Sequence, residues 1–241
     1  MRAETRHQLK QDRFSRTTIE VAGKTVDWSV EHRTTLIVGS LIVLIVAAAG
    51  VGGWYYMDQQ DQQASSALSQ AVRTLDTPVR PAGTPPQPDS PSFASAKERA
   101  TDARKQFQAV VQKYSHTRSG DFARYFVGTT SADLGDTATA ERELKAVAAS
   151  SKPDVSALAT FALASVYRRE NRNKDAIEIY KQLEAKPSTT VSKAAAQLEM
   201  AATYQAAQQP LEAKRIYEQV QKENPGTEAA NTAQQKLTEI K

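Results

Sequence analysis

The stretch AIEIYKQLEAKP, Ala176 to Pro187, returns 37 residues later as AKRIYEQVQKENP, Ala213 to Pro225. Ala176 falls on Ala213, Ile179 on Ile216, Tyr180 on Tyr217 and Leu183 on Val220. Apolar positions in each stretch recur at helical spacing, so each predicts an amphipathic helix that its proline ends. Upstream lies a second helical pattern, in which Leu163, Ala164 and Tyr167 answer to Met200, Ala201 and Tyr204 at the same offset. An earlier copy runs through Val127, Gly128, Gly135, Ala140, Leu144 and Val147, with Ala140 36 residues before Ala176. A fourth shows only its second half, Ala103, Phe107 and Val110, with Ala103 37 residues before Ala140. A helical pair repeated at this period cannot bury both of its faces alone, so the pairs must stack into an array.

Helix, short turn, helix and closing proline resemble the tetratricopeptide repeat, whose period is 34. Leu163, Ala164, Tyr167, Ala176, Tyr180 and Pro187 sit at that family's positions; Met200, Ala201, Tyr204, Ala213, Tyr217 and Pro225 nearly repeat them. Periods of 36 and 37 imply lengthened segments between repeats. The resemblance implies an all-α protein: an α-solenoid of about four hairpins over residues 93–241, ended by a capping helix in TEAANTAQQKLTEIK, where Ala229, Ala233 and Leu237 form one stripe. Ala164 with Ala176, and Ala201 with Ala213, are expected where the helices of a hairpin cross, because a methyl-sized side chain lets the axes approach to about 8 Å. Ala140 takes the same place one copy earlier. Tyr167, Tyr180, Tyr204 and Tyr217 are expected to fill the space between hairpins.

Ahead of the array, residues 36–56 (LIVGSLIVLIVAAAGVGGWYY) carry no charge. About 20 apolar residues at 1.5 Å rise span a bilayer core of roughly 30 Å, so this run predicts a single transmembrane helix. Residues 1–35 hold seven basic side chains, Arg33 nearest the run, whereas Asp58 and Asp61 come first after it. Cationic flanks stay on the cytoplasmic side, which predicts a cytoplasmic tail and an exported C-terminal part. Trp54, Tyr55 and Tyr56 suit the outer headgroup level, with Arg33 at the inner one. A cleaved signal after Ala47, Ala48 and Ala49 is the competing reading, but 35 residues before an apolar core are too long a lead for one. Ala48 with Gly52, and Ala49 with Gly53, either admit a partner helix or reflect the abundance of small residues in membrane helices.

Residues 57–76 continue the helical stripe through Ala64, Leu68, Ala71, Val72 and Leu75, and are read as a juxtamembrane helix able to serve as the first helix of the earliest repeat. Residues 77–92 hold six of the ten prolines, which removes the donors a helix needs and predicts a linker or an inserted loop.

Little chemistry is encoded. There is no cysteine, hence neither a disulfide framework nor thiolate ligands. His7, His32 and His116 are scattered and lack ligand spacing. Gly23, Lys24 and Thr25 imitate the end of a phosphate-binding loop, but Thr18 stands where its first glycine belongs. No serine sits in a nucleophile elbow, and the carboxylates lie on polar helical faces, where solvation and i,i+4 pairing account for them. A net charge of +4, dispersed, argues against nucleic acid. The expectation is a protein without enzymatic activity, cofactor, metal or small-molecule substrate, whose partners are other proteins and membrane lipid.

Function in such an array falls to the groove lined by the first helix of each pair. By the resemblance, groove positions are Phe122, Tyr125, Thr129 and Asp133 in one copy, Leu158, Phe161, Ser165 and Arg169 in the next, then Ala195, Leu198, Ala202 and Ala206. Tyr125, Phe161 and Leu198 form an apolar row, either exposed for a partner or packed beneath a neighbour. The Lys, Arg and Asn clamp that grips acidic chaperone termini is missing. Anchor plus exported array is similar to the tetratricopeptide proteins ancillary to the bacterial Sec translocon. That resemblance implies an inner-membrane adaptor, its array in the periplasm, that meets a translocon, a chaperone or exported clients. A scaffold for envelope assembly or cell-division enzymes is the alternative. In the tail, Phe14, Ile19, Val26, Trp28 and Val30 suit a membrane surface or a docking partner.

Overall fold

A computed structural model describes residues 32–85 and 91–240. The readings placed on the tail before His32, its apolar residues and its Gly-Lys-Thr triplet, lie outside the described residues. The chain divides into two compact units, Met1–Asp58 and Gln59–Lys241.

Helix α1 spans Arg33–Asp76. Within the first unit its large apolar side chains, from Ile37 through Val51 to Met57, are all exposed, as are Arg33, Trp54, Tyr55 and Tyr56. It is long and apolar enough to cross a membrane.

In the second unit the remainder of α1 is followed by α2 (Ala96–Lys113), α3 (Arg118–Asp133), α4 (Thr137–Ala148), α5 (Pro153–Arg169), α6 (Asn173–Ala185), α7 (Lys193–Ala206), α8 (Pro210–Glu223) and α9 (Glu228–Glu239). The all-helical expectation holds among the described residues, and the pairs stack as a solenoid. Local chemistry starts most of the helices of this unit. Ser95, Thr117, Asp136, Ser192 and Thr227 cap their helices by accepting a hydrogen bond from a backbone N–H three residues on, while Pro153 and Pro210 open α5 and α8, where a missing N–H costs nothing.

Within three hairpins the turn uses a residue of positive φ: Gly135 (82°), Asn171 (60°) and Gln208 (59°). Each is followed by an N–H bonded five residues back, Asp136 to Ser131 at 2.8 Å, Arg172 to Tyr167 at 2.9 Å and Gln209 to Tyr204 at 2.9 Å. These bonds satisfy carbonyls that a helix end leaves orphaned.

Ala140, Ala164, Ala176, Ala201 and Ala213 are fully buried, with Leu163 and Met200 beside them. Gly128 takes the place of Ala164 one copy earlier, and a Cβ there would lie 2.6 Å from Leu144 Cγ. Tyr167, Tyr180 and Tyr217 are buried, but Tyr204 is only half covered. In α9 the tightest contacts come from Ala230 and Ala233, with Ala229, Leu237 and Ile240 packed less completely.

A second core joins Ala64 and Ala71 of α1 to Ala103, Phe107 and Val110 of α2 and to Ala123 and Val127 of α3. Thr74 Oγ1 donates to Gln106 Oε1 at 3.0 Å across this contact, and Phe107 stacks on Phe126 with ring centres 4.8 Å apart. Between α1 and α2 the proline-bearing segment is tied at its neck. Val79 and Phe93 form an isolated parallel bridge, with Arg80 N–H to Phe93 O at 2.9 Å and Phe93 N–H to Pro78 O at 3.0 Å. Arg99 Nη1 adds a bond to Thr77 O at 3.0 Å. The two ends of the segment therefore lie side by side.

Candidate functional site

Besides touching their chain neighbours, α3, α5, α7 and α9 touch one another in series, α3 on α5, α5 on α7 and α7 on α9. No such contact joins α4, α6 and α8. Helices of one layer that approach more closely than those of the other make the inner, concave side of a stack. The first helices of the hairpins thus line the groove.

On that layer, Phe122, Tyr125 and Thr129 of α3, Leu158, Phe161 and Ser165 of α5, and Ala195, Leu198 and Ala202 of α7 are all half-covered. Asp133, Arg169 and Ala206, at the C-terminal ends of the same helices, are exposed. Residues one position away, such as Ala123, Ala159 and Ala196, are buried. The row Tyr125, Phe161, Leu198 combines the two readings open at the sequence level: each side chain packs against the core, and each keeps an accessible edge. Phe161 rests edge-on against Tyr180, ring centres 5.5 Å apart. Ser165 and Tyr180 share a hydrogen bond of 3.0 Å, which satisfies the one polar atom of a fully buried ring. Burial pushes the Tyr180 hydroxyl up to about 12 and raises that of Tyr125 as well.

Two ion-pair sets bound the apolar rows. At one edge Arg118 pairs with Asp154, whose backbone oxygen accepts from Thr190 Oγ1 at 2.8 Å. At the other, Arg169 Nη1 lies 3.1 Å from Asp133 Oδ1. Each step spans 36 residues, so every partner occupies the same place in successive repeats. The carboxylates are consequently used differently from the sequence expectation. Lys145 with Glu141 and Lys214 with Glu218 are i,i+4 pairs, but Asp121, Asp133, Asp154, Glu141 and Glu199 bind cations of a neighbouring repeat or turn. Opposite charges one repeat period apart were visible in the sequence and would have identified the Arg118–Asp154 and Asp133–Arg169 rungs. The acceptors shift accordingly: Lys145, then Tyr167 and Arg172, hold the Glu141 carboxyl below its ordinary value.

No group of three or more metal-ligating side chains occurs among the described residues. What the groove offers is an apolar floor bordered by ion pairs.

Comparison with known proteins agrees with this architecture. No curated protein matches the chain. Among solved structures it is similar to the nearly identical TPR-like repeats assigned to a kinesin light chain of Podosopora anserina, at a TM-score of 0.56 and 18% identity, over 75% of this chain and 86% of that one. A single-substitution form of the same repeats gives a TM-score of 0.57 at 18% identity, over 75% and 85%. At that identity the likeness establishes the fold alone. A family model described as a tetratricopeptide repeat-like domain matches residues 28–240, and the chain therefore belongs to the tetratricopeptide repeat-like family.

Proposed function

We propose that this protein is an adaptor held at the bacterial inner membrane by residues 36–56, with its tail in the cytoplasm and its helical array in the periplasm, where the groove receives other polypeptides. The tetratricopeptide-like fold suggests protein partners, and the observation that carries the reading is the half-open row Tyr125, Phe161 and Leu198 on the inner helices. Apolar edges lined up on one face lose their exposed area only when a partner covers them. The exposed apolar stretch of α1 supports the anchor, and the excess of basic residues before it supports the orientation. Residues 59–76, which pack on α2, act in this reading as the first helix of the earliest repeat, with residues 77–92 inserted inside that hairpin.

The partners best suited to an anchored, exported array are the translocon, a chaperone beside it, or chains emerging from it. A photo-crosslinking amino acid at Phe161, compared in intact cells with one at the exposed Leu211 of α8, tests this. Crosslinks from position 161 to translocon subunits or to many exported chains support it. Crosslinks confined to one or two envelope enzymes support the scaffold reading instead, and crosslinks equal at both positions remove the groove from either.

A further inference from the structure

In the second unit, Val79 and Leu211 are the large apolar side chains left exposed among the described residues. Leu211 is bordered by exposed Glu212, Lys214 and Arg215. Val79 has different company, because Pro78 and Pro81 are exposed as well. Together they form the run Pro78, Val79, Arg80, Pro81, with two prolines three residues apart.

Local chemistry draws this run out. Each proline fixes its own φ near about −65° and disfavours helix in the residue before it, so Thr77 and Arg80 are extended too. Tertiary structure then pins one edge: Arg80 N–H donates to Phe93 O at 2.9 Å, Phe93 N–H to Pro78 O at 3.0 Å, and Arg99 Nη1 to Thr77 O at 3.0 Å. In a parallel bridge the backbone groups of the intervening residue point the other way. Neither the N–H nor the carbonyl of Val79 has a partner among the described residues. Past Pro81 the chain turns through Gly83, whose φ is 83°, and Thr84 N–H closes the turn on Pro81 O at 3.1 Å. What projects is one short extended run with two proline rings, an exposed valine and an open carbonyl.

Two cations stand beside it. Arg80 gives one nitrogen to Ser92 O at 2.9 Å, and neither Arg80 nor Arg99 has a carboxylate partner among the described residues. A spacer whose only task is reach needs neither a pinned backbone nor an apolar side chain held in water.

We propose that Pro78 to Pro81 is a docking motif for a folded partner domain that reads extended proline segments. At three residues per turn, prolines three apart share one edge of such a segment and enter a cleft walled by aromatic side chains. Val79 O accepts a hydrogen bond from that cleft, and acidic residues at its rim face Arg80 and Arg99. Because the run is already held extended, docking costs little chain entropy. The inference goes beyond the groove reading and requires nothing of it.

The test uses the full chain, in intact cells and in lipid nanodiscs. A photo-crosslinking amino acid at Val79, with one at the exposed Pro85 as control, identifies what docks. The captured protein is then purified and titrated against the full chain, with a proline decapeptide as competitor. The expected result is capture from position 79 and not from 85, displacement by the decapeptide, and unchanged binding of Pro85→Ala. Pro78→Ala and Pro81→Ala should each bind about tenfold more weakly, since each removes two ring methylenes from the cleft. Circular dichroism and Tm check that both variants fold. Arg80→Gln should flatten the salt dependence of binding. Capture alone does not support the proposal. Equal capture or none at the two positions, a captured protein that the decapeptide fails to displace, undiminished binding of both proline variants, or crosslinks only to a second copy of this chain each overturns it. Phe161→Ala should leave this binding unchanged, so failure here and failure of the groove are read separately.

Discussion

Gly128 of α3 faces Leu144 of α4 so closely that a Cβ on the glycine would lie 2.6 Å from Leu144 Cγ and 2.8 Å from its Cδ2. The hairpin closes because that atom is missing. Gly128→Ala gains about 1 kcal/mol of helix propensity but forces a fully buried leucine to move, which costs roughly 1–3 kcal/mol. The net expectation is a destabilisation of about 1 kcal/mol, read as a lower Tm by circular dichroism. In a double-mutant cycle, Leu144→Ala should remove most of the penalty.

Gly120 poses a harder obstacle, since its Cβ would meet the Tyr114 carbonyl oxygen at 2.0 Å. Backbone cannot step aside as a side-chain tip can, so Gly120→Ala should cost roughly 3 kcal/mol. A Tm equal to that of Gly128→Ala would show that the α2–α3 turn yields more easily than its contacts indicate.

Gln208 holds the left-handed turn position that Gly135 occupies two copies earlier. A non-glycine residue there carries a penalty of about 1–2 kcal/mol, against roughly 0.5–1 kcal/mol of extra chain entropy lost by glycine on folding. Gln208→Gly is therefore expected to raise stability by about 0.5–1 kcal/mol, and Gly135→Ala, which meets no neighbouring atom, to lower it for backbone reasons alone. Thermal denaturation of both variants checks the pair of signs.

Burial pushes the hydroxyls of Tyr180 and Tyr217 up from the ordinary 10.0 to about 12. The unfolded chain begins to ionise these phenols near pH 10 while the folded one keeps them protonated. The unfolded state then binds fewer protons, so stability is intact below pH 10 and falls as pH rises from 10 to 12. Tyrosinate absorbance should accordingly show Tyr180 and Tyr217 titrating late, with Tyr125 also raised, and Tyr180→Phe should reduce both the number of late groups and the alkaline slope of Tm.

Asp133 and Arg169 bridge two repeats, yet their side chains are 61% and 57% exposed. Solvent and salt screen such a pair, so Arg169→Ala should change stability by less than about 0.5 kcal/mol. A larger loss in urea denaturation would mean that the rung holds the stack together rather than bordering the groove.

Repeat period, helix starts and the small residues at crossings were all legible in the residues themselves, because helix periodicity, caps and chain-breaking prolines act within a few positions. Ala164, Ala176, Ala201 and Ala213 were identifiable for that reason, as was the apolar length of residues 36–56. Other features depended on which surfaces meet. That Val79 pairs with Phe93 at the neck of the nineteen-residue segment between α1 and α2 involves partners with no common pattern. Whether Tyr125, Phe161 and Leu198 would be covered or open depended on how closely α3, α5 and α7 approach. Local interactions dictate each helix by itself, but the exposure of a side chain is set by the separation and tilt of neighbouring helices, which only the assembled stack determines.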